Sequence, residues 1–129
     1  MSLSVQIVTP AAVAWTGTVD EVQAPGLSGE FGALPGHALL LSATRPGVVT
    51  LHQGGGQTRF LVGAGFAEVS AVKVTLLVDL CEQAGSVDKG AAAEALAAAE
   101  SRLMHASPDS PEWVEARAAA ELASARLEA

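Results

Sequence analysis

The stretch Pro25-Gly-Leu-Ser-Gly-Glu-Phe-Gly-Ala-Leu-Pro-Gly-His37 constrains this chain more than any other segment. Four glycines and two prolines in thirteen residues exclude a helix. They also argue against a regular central strand, because proline removes a ladder donor and glycine leaves little to pack. The segment is nevertheless apolar, with Leu27, Phe31 and Leu34 inside it and Leu39, Leu40 and Leu41 just beyond. Forced turns with large apolar anchors predict a shaped, packed loop between strands. Loops of that kind commonly present a surface to a partner; a tight β-corner whose glycines only relieve strain is the competing reading.

The flanking sequence predicts strands. Leu3, Val5 and Ile7 alternate with Ser4, Gln6 and Val8, a period of two that marks a half-buried strand ended by Pro10. Val13–Thr16 and Val19–Ala24 follow as two short strands, with Gly17 expected as a bend or bulge. Leu39–Ala43 and Val48–His52 are separated by the turn signal Arg45-Pro-Gly47, and Gly54-Gly-Gly56 leads into Thr58–Val62. Phe66–Val69 comes next, and Val72, Val74, Leu76 and Val78 form the buried face of a last strand. Many short strands with frequent turns predict an all-β sandwich or flattened barrel over residues 1–84.

The composition changes near Ala84-Gly85, where alanine takes over and helix is favoured. Ala92, Leu96, Ala99 and Leu103 make one stripe along residues 88–104. His105–Ser110 contains Pro108 and is expected to turn. Ser110 suits an N-cap, Pro111 the first helical position, and Trp113, Ala116, Ala120, Ala123 and Leu127 a second stripe. The short connection predicts an antiparallel helical hairpin over residues 85–129. Its seam is thin, since alanines bury little area, so docking on the sandwich must supply part of its stability.

Half of the 129 residues are hydrophobic, enough to bury a core, and no apolar run is long enough for a membrane span. The first residues, Met-Ser-Leu-Ser-Val-Gln-Ile, lack the basic start and apolar segment of a signal peptide, so the chain is expected to stay in the cytosol. A formal charge of −7 argues against nucleic acid and anionic lipid as partners. The single cysteine, Cys81, permits no internal disulfide and is expected to be an inert or partly exposed thiol.

Catalytic motifs are incomplete. Gly26-Leu-Ser28-Gly29-Glu30 misses the nucleophile elbow by one glycine. His37, His52 and His105 are far apart and give no metal-ligand spacing. Gly63-x-Gly65 is too short for a dinucleotide fingerprint and precedes a strand, while Gly54-Gly-Gly56 lacks the lysine of a phosphate loop. Asp20-Glu21 is a lone acidic pair. These residues predict a non-enzymatic chain without a cofactor; the alternative is a free-standing β-sandwich enzyme or ligand-binding module with a helical tail.

Gly29-Glu30-Phe31-Gly32-x-Leu34-Pro35-Gly36-His37-Ala38-x-Leu40-Leu41 resembles the signature loop of the epsilon subunit of bacterial F-type ATP synthases. The resemblance continues through Arg45-Pro-Gly-Val-Val49, Phe60-Leu-Val-Gly-x-Gly-Phe-Ala-Glu-Val69 and Val74-Thr-Leu-Leu-Val-Asp79, covering most of residues 3–84 in order. Leu39 departs from it, standing where the family usually has proline. The resemblance implies a non-catalytic rotor subunit on the cytoplasmic side of a bacterial plasma membrane. Such a subunit binds the foot of the gamma subunit and sits on the c ring, with transient contact to the alpha and beta subunits. It points to Glu30 for the polar loops of the c ring, and to His37, Leu39 and Leu40 for the gamma subunit. Phe31, Gly32, Leu34, Pro35 and Gly36 complete the implied interface.

The resemblance also bears on the hairpin. ATP-binding relatives carry an aliphatic-Asp-x-x-Arg-Ala pattern where this chain has Val87-Asp88-Lys89-Gly90-Ala91-Ala92, so a methyl group replaces the guanidinium. Inhibitory relatives lay basic residues of the second helix against an acidic loop of the catalytic subunits. Here Glu112, Glu115, Glu121 and Glu128 outnumber Arg117 and Arg126, and the hairpin is short, which predicts weak inhibition or none.

Overall fold

The structure is a computed structural model that describes residues 2–129; Met1, with which the expected sandwich domain begins, lies outside them. Ten strands precede two helices among the described residues: β1 (Leu3–Val8), β2 (Val13–Val19), β3 (Glu21–Gly26), β4 (Gly29–Ala33), β5 (Leu40–Thr44), β6 (Gly47–Gln53), β7 (Gly56–Val62), β8 (Gly65–Val69), β9 (Lys73–Val78), β10 (Cys81–Gln83), α1 (Lys89–His105) and α2 (Pro111–Glu128). They form the expected nearly closed β-sandwich followed by a helical hairpin. Sheet I has the order β10-β7-β6-β3-β4 and sheet II the order β5-β8-β9-β1-β2; a single bridge, Gly26 to Thr44, joins them at a corner.

Side chains that alternate inward from both sheets build the core. Leu3, Val5, Ile7, Val74 and Leu76 of sheet II meet Val22, Val49, Leu51, Phe60 and Val62 of sheet I, all of them buried. The indole of Trp15 packs at the rim of this core, 6.3 Å from the Phe60 ring.

Several local expectations are corrected. Gly17 is neither bend nor bulge: β2 runs through it in register with Val5. The Trp15 indole lies where a side chain at 17 would stand, 2.7 Å from an added Cβ, so this glycine makes room for a ring. The irregularity falls instead between Ile7 and Val8. The glycine-rich stretch is not one loop. Pro25 and Gly26 end β3, Leu27-Ser28 turn, and Gly29–Ala33 return as β4. An edge strand tolerates this composition because its outer side has no ladder to lose. The true loop is residues 34–39. Val72 does not open the last strand; it is 67% exposed in the turn before β9. Cys81–Gln83 form a short strand that pairs with Val62, Leu61 and Phe60, which three residues of polar character did not signal.

The hairpin follows the expected stripes. Asp88 caps α1 by accepting the Ala91 amide at 3.0 Å, and Ser110 caps α2 by accepting that of Trp113 at 3.2 Å. Ala92 and Ala99 on α1, with Ala116 and Ala123 on α2, are buried along the seam. The outer face of sheet I is where α2 docks. Phe60 and Val62 point into the core, so Leu61 points the other way, yet it is fully buried. Its cross-strand neighbour Glu82 accepts hydrogen bonds from Arg126 of α2 at 2.9 and 3.2 Å, which places the C-terminal half of α2 over this spot. Among the described residues no helix is long and apolar enough to cross a membrane.

Candidate partner interface

With the helices on sheet I, the outer face of sheet II is left uncovered, and its register builds an apolar row. Ala43 of β5 is opposite Phe66 of β8, Phe66 opposite Leu77 of β9, Leu77 opposite Val8 of β1, and Val8 opposite Val13 of β2. Each strand of the sheet contributes one residue. Phe66, Leu77 and Val13 are 56%, 49% and 51% exposed. On β8 the usual economy is inverted: the large Phe66 faces out while Ala67 and Val69 fill the core. Beside the row, Val8, Thr9, Pro10 and Leu77 line a shallow depression of about 380 Å³.

A second apolar area continues from it. Leu39 and Leu41, at 81% and 72% exposure, flank a hollow completed by Leu40 and Glu68. The loop that carries Leu39 is held in place by its backbone: Gly36 donates to the Ala71 carbonyl at 2.8 Å, and His37 donates to that of Leu34 at 3.1 Å. Gly36 has φ +88°, a conformation side chains rarely adopt. The His37 ring adds a bond from Nδ1 to the Ala38 carbonyl at 2.6 Å, so that nitrogen carries the proton. Leu34 and Val72 are exposed at the same end.

The nine residues singled out by sequence therefore do not share one patch. Leu34, Pro35, Gly36, His37, Leu39 and Leu40 lie beside the β8–β9 turn, at the Leu40–Val69 end of sheet II. Leu40 is half-buried against the core. Glu30 sits opposite Pro25, whose carbonyl accepts the Arg45 amide, at the Thr44–Gly65 end. There it shares a groove with Arg45, Arg59 and Glu128. Phe31 packs on the core between these two ends, and Gly32 is exposed on the β4 edge. Phe66, Leu77, Val8 and Val13 were missed. The signal available was the doubled apolar pair Leu76-Leu77, where one of two adjacent residues must face outward.

The remaining reactive groups are dispersed. His52 bonds Gln23 at 3.0 Å, and His105 bonds the Ser101 carbonyl at 2.8 Å. Burial, and then the neighbouring Glu82 charge, push the Cys81 thiol above its ordinary pKa, which lowers its thiolate fraction at neutral pH.

Known proteins resemble this chain in sequence and in fold. Residues 2–84 match the family ATP synthase, Delta/Epsilon chain, beta-sandwich domain. The ATP synthase epsilon chain of Nitrobacter winogradskyi is 40% identical over 97 residues, spanning 75% of this chain and 72% of that one. The epsilon chain of a Synechococcus species is 37% identical over 131 residues, spanning 100% of this chain and 96% of its own. A chain in the cryo-EM structure of the Euglena gracilis mitochondrial ATP synthase, covering OSCP, F1 and the c-ring, superposes with a TM-score of 0.86 at 22% identity, over 98% of this chain and 79% of that one. A family match over most of the sandwich, together with relatives of this similarity, shows that this chain belongs to the ATP synthase delta/epsilon chain family.

Proposed function

We propose that this chain is a non-catalytic rotor subunit of a proton-translocating ATP synthase, joining the gamma subunit to the c ring. The observation that carries this reading is the apolar row Ala43-Phe66-Leu77-Val8-Val13, uncovered on one face while the opposite face is covered by the chain's own helices. A soluble domain seldom leaves so continuous an apolar strip without a partner. In this reading residues 1–84 are the coupling domain, residues 85–129 an accessory hairpin, and the whole is peripheral on the cytoplasmic face of the membrane. The gamma subunit covers the row and the Leu39–Leu41 hollow, while Glu30 and its groove meet the polar loops of the c ring. Titrating the full chain into the gamma subunit of the same synthase should give a 1:1 complex of sub-micromolar Kd. No complex at tens of micromolar would overturn the proposal.

The hairpin in this reading is neither a nucleotide site nor a strong inhibitor. Asp88 is engaged as a helix cap, and the Lys89 ammonium donates to the Leu127 carbonyl at 2.6 Å, so neither is free for a phosphate. Calorimetry with ATP is expected to show no sub-millimolar binding. The two arginines of α2 are likewise occupied: Arg117 lies 3.4 Å from Glu121 and over the Trp113 ring, and Arg126 is paired with Glu82. With its four acids exposed or paired, α2 has no basic face for an acidic partner. Deleting residues 86–129 should change ATP hydrolysis by the purified synthase less than about twofold, within the effect of a few tenths of a kcal/mol. A several-fold rise would show that apolar contacts through Trp113 and Leu122 inhibit without a basic face.

A further inference from the structure

We infer that the free edge of β2 receives an extended backbone segment of the same partner that covers sheet II, which lengthens that sheet by one strand. The inference rests on the rotor reading given above and specifies how the partner is held. Ser4 donates its amide to the Val72 carbonyl beside β9, so Ser4 and Gln6 direct their backbone groups toward β9. Val5 and Ile7 must then direct theirs toward β2, which makes Val5–Gly17 and Ile7–Trp15 the hydrogen-bonded pairs of the β1–β2 ladder. Thr16 and Thr18 lie between and beyond those pairs. Their amides and carbonyls face away from β1, and among the described residues no strand pairs with β2 on that side. The next outward amide, that of Asp20, is already taken by the His52 carbonyl at 2.7 Å.

Strand β5, at the other end of sheet II, is bridged to β3 at Thr44; the three other open edges among the described residues differ in protection. Strand β10 is three residues long with Glu82 at its centre, and β4 carries the charged Glu30 directly after Gly29. Strand β2 is seven residues, Val-Ala-Trp-Thr-Gly-Thr-Val, with no charge and no proline. Long uncharged edges invite strand addition, and native chains guard them unless they are used. The occupant follows from position. The apolar row ends on β2 at Val13, so a partner that covers the row arrives at this edge with alternating donors and acceptors facing it.

Hydrogen exchange on the full chain, alone and bound to the gamma subunit, tests the inference. Thr16 and Thr18 amides are expected to exchange freely in the chain alone and to slow at least about a hundredfold in the complex. A second readout uses Thr16→Pro, which removes an outward donor while leaving the β1–β2 ladder intact, a position where edge strands accept proline. Its affinity should fall at least about tenfold, and that of Thr16→Val, which keeps the backbone, should stay within about twofold. A complex in which both amides still exchange freely would overturn the inference and leave the rotor reading standing. Absence of any complex would overturn both. Protection that appears in the chain alone as its concentration rises would assign the edge to a second copy instead, which also overturns it.

Discussion

Replacing Phe66 by glutamate and Leu77 by lysine is expected to weaken binding to the gamma subunit at least about a thousandfold, roughly 4 kcal/mol, while leaving the fold intact. The two side chains are direct cross-strand neighbours on β8 and β9, at the centre of the apolar row. An aromatic anchor flanked by aliphatic residues is the usual energetic centre of an interface. Full burial of each is worth about 1.5–3 kcal/mol, and the substituted charges must also be desolvated or left in a wet gap. The free chain loses much less, because both residues are already about half in water. Glutamate opposite lysine even restores a favourable cross-strand pair, which two carboxylates would not. The measurement is calorimetric affinity alongside a thermal melt. Unchanged affinity at unchanged Tm would show that the partner sits elsewhere on the chain.

That row explains why sequence reasoning found the family and the fold but not this surface. Alternation along β1, β6 and β9 reveals which face is buried, because each strand carries its own period-two record. It does not reveal which strand lies beside which. The parallel pairing of β1 with β9, nearly seventy residues apart, brings Val8 next to Leu77, and nothing local to either residue announces it. A patch that takes one residue from each of five strands is invisible until the register is known. The stretch from Pro25 to His37 was misjudged for a different reason. Glycine and proline report on the ladder they would spoil, and on the outer side of β4 there is none. Gly17 was misread because its requirement comes from a ring two residues away on the same face. The hairpin, by contrast, was legible almost to the residue, since caps and stripes are local features.

The largest expected loss of stability belongs to Gly65→Ala, at least about 3 kcal/mol. Gly65 stands where β8 is paired on both sides, with Thr44 of β5 and Val78 of β9, so its backbone cannot move toward either neighbour freely. An added Cβ would fall 1.8 Å from the Leu77 carbonyl oxygen and 2.8 Å from the Val78 Cα. These are backbone atoms of a central strand, and the only relief is to part β8 from β9. Gly63 is an instructive contrast. Its added Cβ would meet Asp79 Oδ1 at 1.6 Å, but that atom ends an exposed side chain and can rotate away. Gly63→Ala should therefore cost less than Gly65→Ala despite the shorter distance. Gly85, with nothing within 4 Å of an added Cβ, supplies the control and should be neutral or slightly stabilised by alanine. For a domain of this size, about 3 kcal/mol corresponds to a fall in Tm on the order of 10 °C. Because Phe66 follows directly and Leu77 supplies the obstructing carbonyl, the same change should disturb the apolar row. Thermal melts of the three alanine variants should rank them Gly85, Gly63, Gly65 in order of increasing loss. A Gly65 variant that melts with the parent would mean that β8 and β9 are not packed as closely as this register requires.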